Sequence, residues 1–251
     1  MAILYVAAEA SELKPFANAL TGLRKLKWPL DYAFEGILDG RRIMLAANGA
    51  GPKLAAQAVE VAIRAVSAAE LSSSKLEAVV TTGYCGALDP ALRESEIVLG
   101  TAILDLASQE TMECETVNAT PDSFASGLIV SQNRVINTAE EKKNLQSHGA
   151  IAADMEAAGV AARAKRAGLP VYCIKVVSDL AEESFSFDLN KMRTTEGRIA
   201  RGKIVSYALS HPNLLPSLLR LKRRSEAAAK ALGDFLVSCR VKSESDSALA
   251  R

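Results

Sequence analysis

Three carboxylates stand where apolar runs of this chain end. Glu12 follows the first run, Ala2–Ala8. Asp179 closes Val176-Val177-Ser178-Asp179, after the β-branched run Val171–Val177. Glu156 lies in Ala150-Ile151-Ala152-Ala153-Asp154-Met155-Glu156-Ala157-Ala158, at the start of an alanine-rich helix. A carboxylate at the end of a buried element costs free energy unless something pairs with it. In an open α/β sheet the ligand crevice lies beyond the carboxyl ends of the strands. Each residue also has an ordinary reading: Glu156 as a helix-dipole partner, Asp179 as a cap, Glu12 as a solvated first-turn residue. Other chemistries fit less well. His148 sits in a polar run and His211 precedes a proline, so neither suits a histidine triad or a metal centre. There is no G-x-S-x-G elbow. Gly49-x-Gly51 lacks the third glycine and acidic partner of a dinucleotide fingerprint, and Pro52-Lys53 does not complete a phosphate loop. We expect no metal and no cofactor.

The elements that must position these groups alternate. Ala2–Ala8 reads as a strand, and a helix follows from Ser11 with Pro15 in its first turn. Tyr32–Leu38 and Arg42–Ala47 flank the Asp39-Gly40 turn as a hairpin. Asn48-Gly49-Ala50-Gly51-Pro52 is a tight turn into the helix Leu54–Val66. Strands are expected at Leu76–Thr82, Glu96–Leu106, Ser126–Val130, Ala150–Ala153 and Val171–Val177. Helices are expected at Thr138–His148, Asp154–Ala167, Thr195–Ala208 and Leu214–Leu236, and Ala107–Ala125 reads as a long loop. The pattern predicts an α/β protein: a single domain with a central mixed sheet and helices on both faces. We divide it into residues 1–210, a helical extension over 211–242 and a disordered polar tail over 243–251.

Bulk properties bound the function. The chain has 251 residues, enough for one α/β domain with a sizeable core. A net charge of +1 gives no field that points to nucleic acid, and 5% aromatics disfavour a base-stacking platform. Cys85, Cys114, Cys173 and Cys239 are scattered, which favours a reducing cytoplasm over a disulfide framework. The first eight residues read as a strand, not a signal peptide. No run approaches the length of a membrane span.

Taken together, the segments resemble the nucleoside phosphorylase and nucleosidase superfamily, and within it the 5′-methylthioadenosine/S-adenosylhomocysteine nucleosidases. Ala153-Asp154-Met155-Glu156-Ala157-Ala158 matches the family's helix start and Ser178-Asp179 its strand end. Glu12 falls at its N-terminal glutamate, and Gly49-Ala50-Gly51 at its ribose-side turn. Thr82-Gly83-Tyr84-Cys85-Gly86 matches its T-G-S-x-G loop, and Ser126–Ser131 with Ile136-Asn137 its base-side segment. The resemblance implies cleavage of an N-glycosidic bond through an oxocarbenium-like ribose. Asp179 would protonate the purine, oriented by Ser178, and Glu12 would activate water. Glu156 would accept from the ribose hydroxyls, with Met155 against the sugar face and Asp154 structural. Val135 and Ile136 would line the base, Phe187 would cover it, and Gly83 and Tyr84 would border the nucleophile. The resemblance also implies a homodimer.

Three departures bear on the substrate. Tyr84 replaces the loop serine, Val135 replaces a stacking aromatic, and Ala50 replaces a larger aliphatic residue, which widens the 5′ side. Phosphorylases of this superfamily bring arginines to phosphate. Here Val80-Thr81-Thr82 precedes the loop, and no arginine lies between Met1 and Gly22, which favours water. The alternatives are a purine nucleoside phosphorylase, a hopanoid-associated nucleosidase or phosphorylase, whose C-terminal extension the segment Pro212–Leu221 resembles, and a nucleoside-binding protein that has lost catalysis. The basic, amphipathic last helix could rest on a membrane surface.

Overall fold

The computed structural model describes residues 2–68, 75–120, 124–194 and 210–241. The expected helix at Thr195–Ala208 and the polar tail lie outside these residues. Ten strands form one mixed sheet. They are β1 (Ala2–Ala7), β2 (Thr21–Lys25), β3 (Tyr32–Leu38), β4 (Arg41–Ala47), β5 (Leu76–Ala87), β6 (Ile97–Asp105), β7 (Thr111–Glu113), β8 (Ala125–Ser131), β9 (Ala150–Asp154) and β10 (Val171–Asp179). The described helices are α1 (Ala10–Ala17), α2 (Pro52–Ser67), α3 (Ala139–Gln146), α4 (Ala157–Arg166) and α5 (Leu215–Ser238).

The sheet is not open. It runs β10-β6-β8-β9-β5-β1-β4-β3-β2, and β10 also pairs with β5. Five strands therefore close a ring, and β1, β4, β3 and β2 extend from it. β10 runs parallel to β5, with Lys175 opposite Gly83 and Asp179 opposite Gly86. β9 runs antiparallel to β5, with Ala153 opposite Gly86. The carboxyl ends of β5, β9 and β10 thus meet at one place. This happens because β5 does not stop at Thr82, where the glycine-rich segment suggested a loop, but continues to Ala87. The other differences are local. β2 was not anticipated, and β7 lies within the expected loop. Asp154 ends β9 instead of opening a helix, so α4 starts at Ala157 with Glu156 at its N-cap.

Among the described residues there are three apolar clusters, and the two larger ones pack helices against the sheet. One packs α2 and α4 (Ala55, Ala58, Val59, Val160, Ala161, Ala164) against Leu4, Val6, Val79 and Val177. The other packs Leu13 and Phe16 of α1 and Ala228, Leu232, Phe235 and Leu236 of α5 against Ile3, Tyr5, Val80 and Ile174. α5 therefore shares a core with the strands of the ring and with the helix that carries Glu12. Among the described residues no helix is long and apolar enough to cross a membrane.

Candidate active site

Glu12 is the third residue of α1's first turn. Its Oε2 accepts from the Glu9 backbone N–H at 2.6 Å, so the carboxylate caps its own helix. Its Oε1 accepts from the Tyr84 backbone N–H at 2.9 Å, across the carboxyl end of β5. A Cβ at Gly83 would lie 2.6 Å from that oxygen, and Gly83 has φ +110°, so glycine meets both demands at this contact. Tyr84 serves this site through its main chain. Its ring packs in the layer of α1 and α5, and its hydroxyl donates to the Ser225 carbonyl of α5 at 2.9 Å.

Asp179 ends β10. Ser178 Oγ donates to its Oδ1 at 2.7 Å, with the Cys85 carbonyl 3.2 Å away as a second acceptor. Lys142, from α3, donates to Oδ2 at 2.5 Å and to the Leu180 carbonyl. A Cβ at Gly86 would lie 2.9 Å from Oδ2, so β5 approaches this carboxylate closely too. Glu156 Oε1 accepts from the Gly51 backbone N–H at 2.8 Å, which ties the α4 start to the Gly49–Gly51 turn. Asp154 accepts from the Ala157 N–H at 2.9 Å and pairs with Lys175 at 2.6 Å, both side chains fully buried. Lys175 also donates to the Thr82 carbonyl at 3.1 Å.

The electrostatics follow from burial. Desolvation pushes the Glu12 carboxyl up to about 7, opposed by its two N–H donors and by Lys175. Glu156 is raised for the same reason, with Asp154 and Glu12 adding repulsion while Lys175 and the Gly51 N–H oppose it. Asp154 and Glu156 together hold the Lys175 ammonium firmly charged in spite of its burial. One buried cation thus faces three carboxylates.

The remaining candidates border this centre. Ala50 is buried, and its carbonyl accepts from Arg193 at 3.4 Å. Met155 is half-buried between Asp154 and Glu156. Val135 exchanges two hydrogen bonds with the Asn190 side chain, at 2.8 and 2.9 Å. Asn137 bonds Asp188 at 2.9 Å, Leu189 at 3.2 Å and Phe185 at 2.8 Å. The segment 185–190, which contains the buried Phe187, is thus fastened onto residues 135–137. Ile136 packs with Leu88, Leu104 and Val130.

Sequence reasoning missed both buried lysines. Lys175 interrupts the apolar strand Val171–Val177, and a lone charge there demands a partner. Lys142 lies in the charge run Glu140-Glu141-Lys142-Lys143. The available signal was its spacing: Lys142 lies three residues before Leu145, on one helix face.

Over 211 residues the chain is 24% identical to the 5′-methylthioadenosine/S-adenosylhomocysteine nucleosidase of Staphylococcus aureus, covering 73% of this chain and 89% of that protein. The nucleosidase of the same type from Neisseria meningitidis, solved with methylthio-immucillin-A, superposes with a TM-score of 0.66 at 20% identity, over 94% of this chain and 97% of that one. The futalosine hydrolase of Helicobacter pylori superposes with a TM-score of 0.65 at 17% identity, over 95% and 96%. These two structures share the fold. Residues 3–210 match the family model of the phosphorylase superfamily, and the chain belongs to that superfamily.

Proposed function

We propose that this protein is an N-ribosyl hydrolase that releases adenine from a 5′-substituted adenosine. The observation that carries the proposal is the convergence of Glu12, Glu156 and Asp179 on the carboxyl end of β5 and its neighbours, each on a fixed donor. Glu156 accepts from the ribose hydroxyls, since an ionised carboxylate offers only acceptors. Asp179 delivers a proton to the purine as the glycosidic bond breaks, and Ser178 sets the carboxyl plane. Glu12 takes the proton of the attacking water. Both Glu12 and Glu156 favour the oxocarbenium-like sugar as it forms.

Water fits this site better than phosphate. A phosphate dianion beside Glu12 would meet two carboxylates, and the loop before Gly83 supplies no arginine. The kinship with the S. aureus nucleosidase supports a purine leaving group. The small Ala50 supports a 5′ substituent larger than methylthio. Contacts of Tyr84 with Glu12 and α5 explain the tyrosine as a support for the base, which speaks against the reading as a binding protein without catalysis. Homodimer formation is part of the proposal. So is cytoplasmic residence, which the four free cysteines support. Leu215 and Leu219, 44% and 55% exposed beside Arg220, Lys222 and Arg223, support contact of α5 with a membrane surface.

Asp179→Asn tests the chemistry. General-acid loss predicts a fall in adenine release of about 10²–10⁴-fold, with nucleoside binding retained. Full activity in this variant would remove Asp179 from the mechanism.

A further inference from the structure

Lys142 is a buried group that the scheme above leaves unused. Its side chain is 1% exposed, yet α3 is otherwise a polar surface helix (Ala-Glu-Glu-Lys-Lys-Asn-Leu-Gln). Placing an ammonium there is expensive without specific partners. The helix is anchored so that the lysine reaches inward. Thr138 and Glu141 form a reciprocal capping box at its start, and Glu141 also accepts from the Asn137 N–H at 2.8 Å. The ammonium meets Asp179 Oδ2, the Leu180 carbonyl and, at 5.9 Å, the Phe185 ring.

An ammonium in this position has one of two effects. As a charge clamp it would keep Asp179 ionised and hinder protonation of the base. As a proton source it would recharge the carboxylate during the reaction. The two predict opposite consequences of its removal.

Building on the hydrolase reading, we infer that Lys142 is a positioning residue and proton reservoir for Asp179. In the step assigned to it, a Nζ–H bond breaks and the proton moves to Asp179 Oδ2. The carboxyl group passes a proton to N7 of the purine. The glycosidic bond breaks, and its electron pair stays on the base, which leaves neutral. Asp179 ends as the carboxylate and Lys142 as the amine. Water adds to the sugar carbon and gives its proton to Glu12. Solvent exchange after product release returns Glu12 to the carboxylate and Lys142 to the ammonium. No oxidant or co-reactant is needed.

The groups facing this pair are few. Glu183, just after β10, is held below the ordinary carboxylate range by Arg224 of α5, and Lys142 adds to that effect. Arg224 stays charged beside Glu183 and also feels Asp179. The Cys85 thiol on β5 is pushed well up by burial, and Asp179 reinforces this. Glu141 neighbours Lys142 on α3 and is held down by Arg134.

The test is the alkaline limb of kcat/KM for Lys142→Gln. Two substrates are compared: a 5′-substituted adenosine, and the same riboside with a nitrophenolate leaving group, which needs no proton. The reservoir predicts that the limb for adenosine moves down by about one pH unit or more, a loss of about ten-fold at pH 9 that shrinks toward pH 6. For the nitrophenyl riboside the limb stays where wild type has it. Lys142→Met, which keeps the apolar stem, is the second variant if the first does not fold. An unmoved limb, or one that moves up as a charge clamp requires, would overturn the inference. So would equal losses on both substrates at every pH, the mark of a packing role. Failure of the wild type to cleave either substrate would instead overturn the hydrolase reading, and this inference with it.

Discussion

Glu12 illustrates how burial gives a side chain its chemistry. A glutamate in water is ionised at neutral pH and is a weak base. Burial lifts this one to about 7, while two backbone N–H groups hold it in place. The base proposed here acts when ionised, so the rate is expected to fall as pH falls through the folded-state value of Glu12. We expect the acidic limb of kcat/KM near pH 7, measurable with any cleaved nucleoside; a limb near pH 4.5 would mean a solvated carboxylate. Glu156 makes a second case. Its folded-state value is raised above 4.5, so the folded protein binds more protons than the unfolded chain above that pH, and stability falls as pH rises through the window. Glu156→Gln keeps the acceptor for Gly51 N–H and removes the buried charge. It should lower kcat/KM by about 10²-fold, since hydrogen bonds from the sugar hydroxyls to a carboxylate are each worth about 1.5–3 kcal/mol. Its Tm should exceed that of wild type by a margin that grows between pH 5 and 9. A Tm margin independent of pH would contradict the assigned burial cost. These carboxylates were legible in the sequence because acidic residues after apolar runs are conspicuous. Lys142, the partner of Asp179, was not, because a charge run on a short helix looks the same whether one member points inward or all point out.

At the scale of elements, the site depends on a helix that does not reach the reacting groups. Arg224 of α5 binds Glu183 at 2.6 and 2.8 Å, and Glu183 accepts from the Leu180 N–H next to Asp179. The adjacent Ser225 receives the Tyr84 hydroxyl, and Tyr84 holds Glu12. One turn of α5 therefore braces both Asp179 and Glu12. The helix reaches this position because Gly233 lets it pass close to α1: a Cβ there would lie 2.6 Å from Pro15 Cβ and 3.0 Å from the Phe16 nitrogen. Gly233→Ala should cost about 1–3 kcal/mol by overpacking and should lower kcat with it, because α1 carries Glu12. Thermal unfolding and initial rates on the same preparation check this; a destabilised variant with wild-type kcat would show that α5 supports the fold alone. The amphipathic pattern of residues 214–236 made this helix legible, but not its packing partner, since periodicity marks a buried face without naming what covers it. The β9–α4 boundary was misplaced for a related reason. Alanine, aspartate and glutamate carry no strong strand signal, and the pairing of Ala152 and Ala153 with β5 overrides their propensity.

For the whole molecule, the closed ring decides what the sequence could only suggest. Alternating strands and helices predict a mixed sheet with helices on both faces, and that is the architecture. Ring closure rests on long-range pairings, β10 with β5 and β9 with β5, which local patterns do not encode. Closure brings Gly83, Gly86, Ala153, Lys175 and Asp179 together around one segment of β5, and α1 and the start of α4 add Glu12 and Glu156. What that site does to a nucleoside decides the proposed function. The direct measurement is free adenine released by the wild-type protein from a series of 5′-substituted adenosines, with and without inorganic phosphate, and with the sugar product identified. We predict release at the same rate in both conditions, free ribose derivatives as the only sugar product, and tolerance of 5′ groups larger than methylthio. Release that requires phosphate and yields a sugar 1-phosphate, or binding without any release, would contradict it.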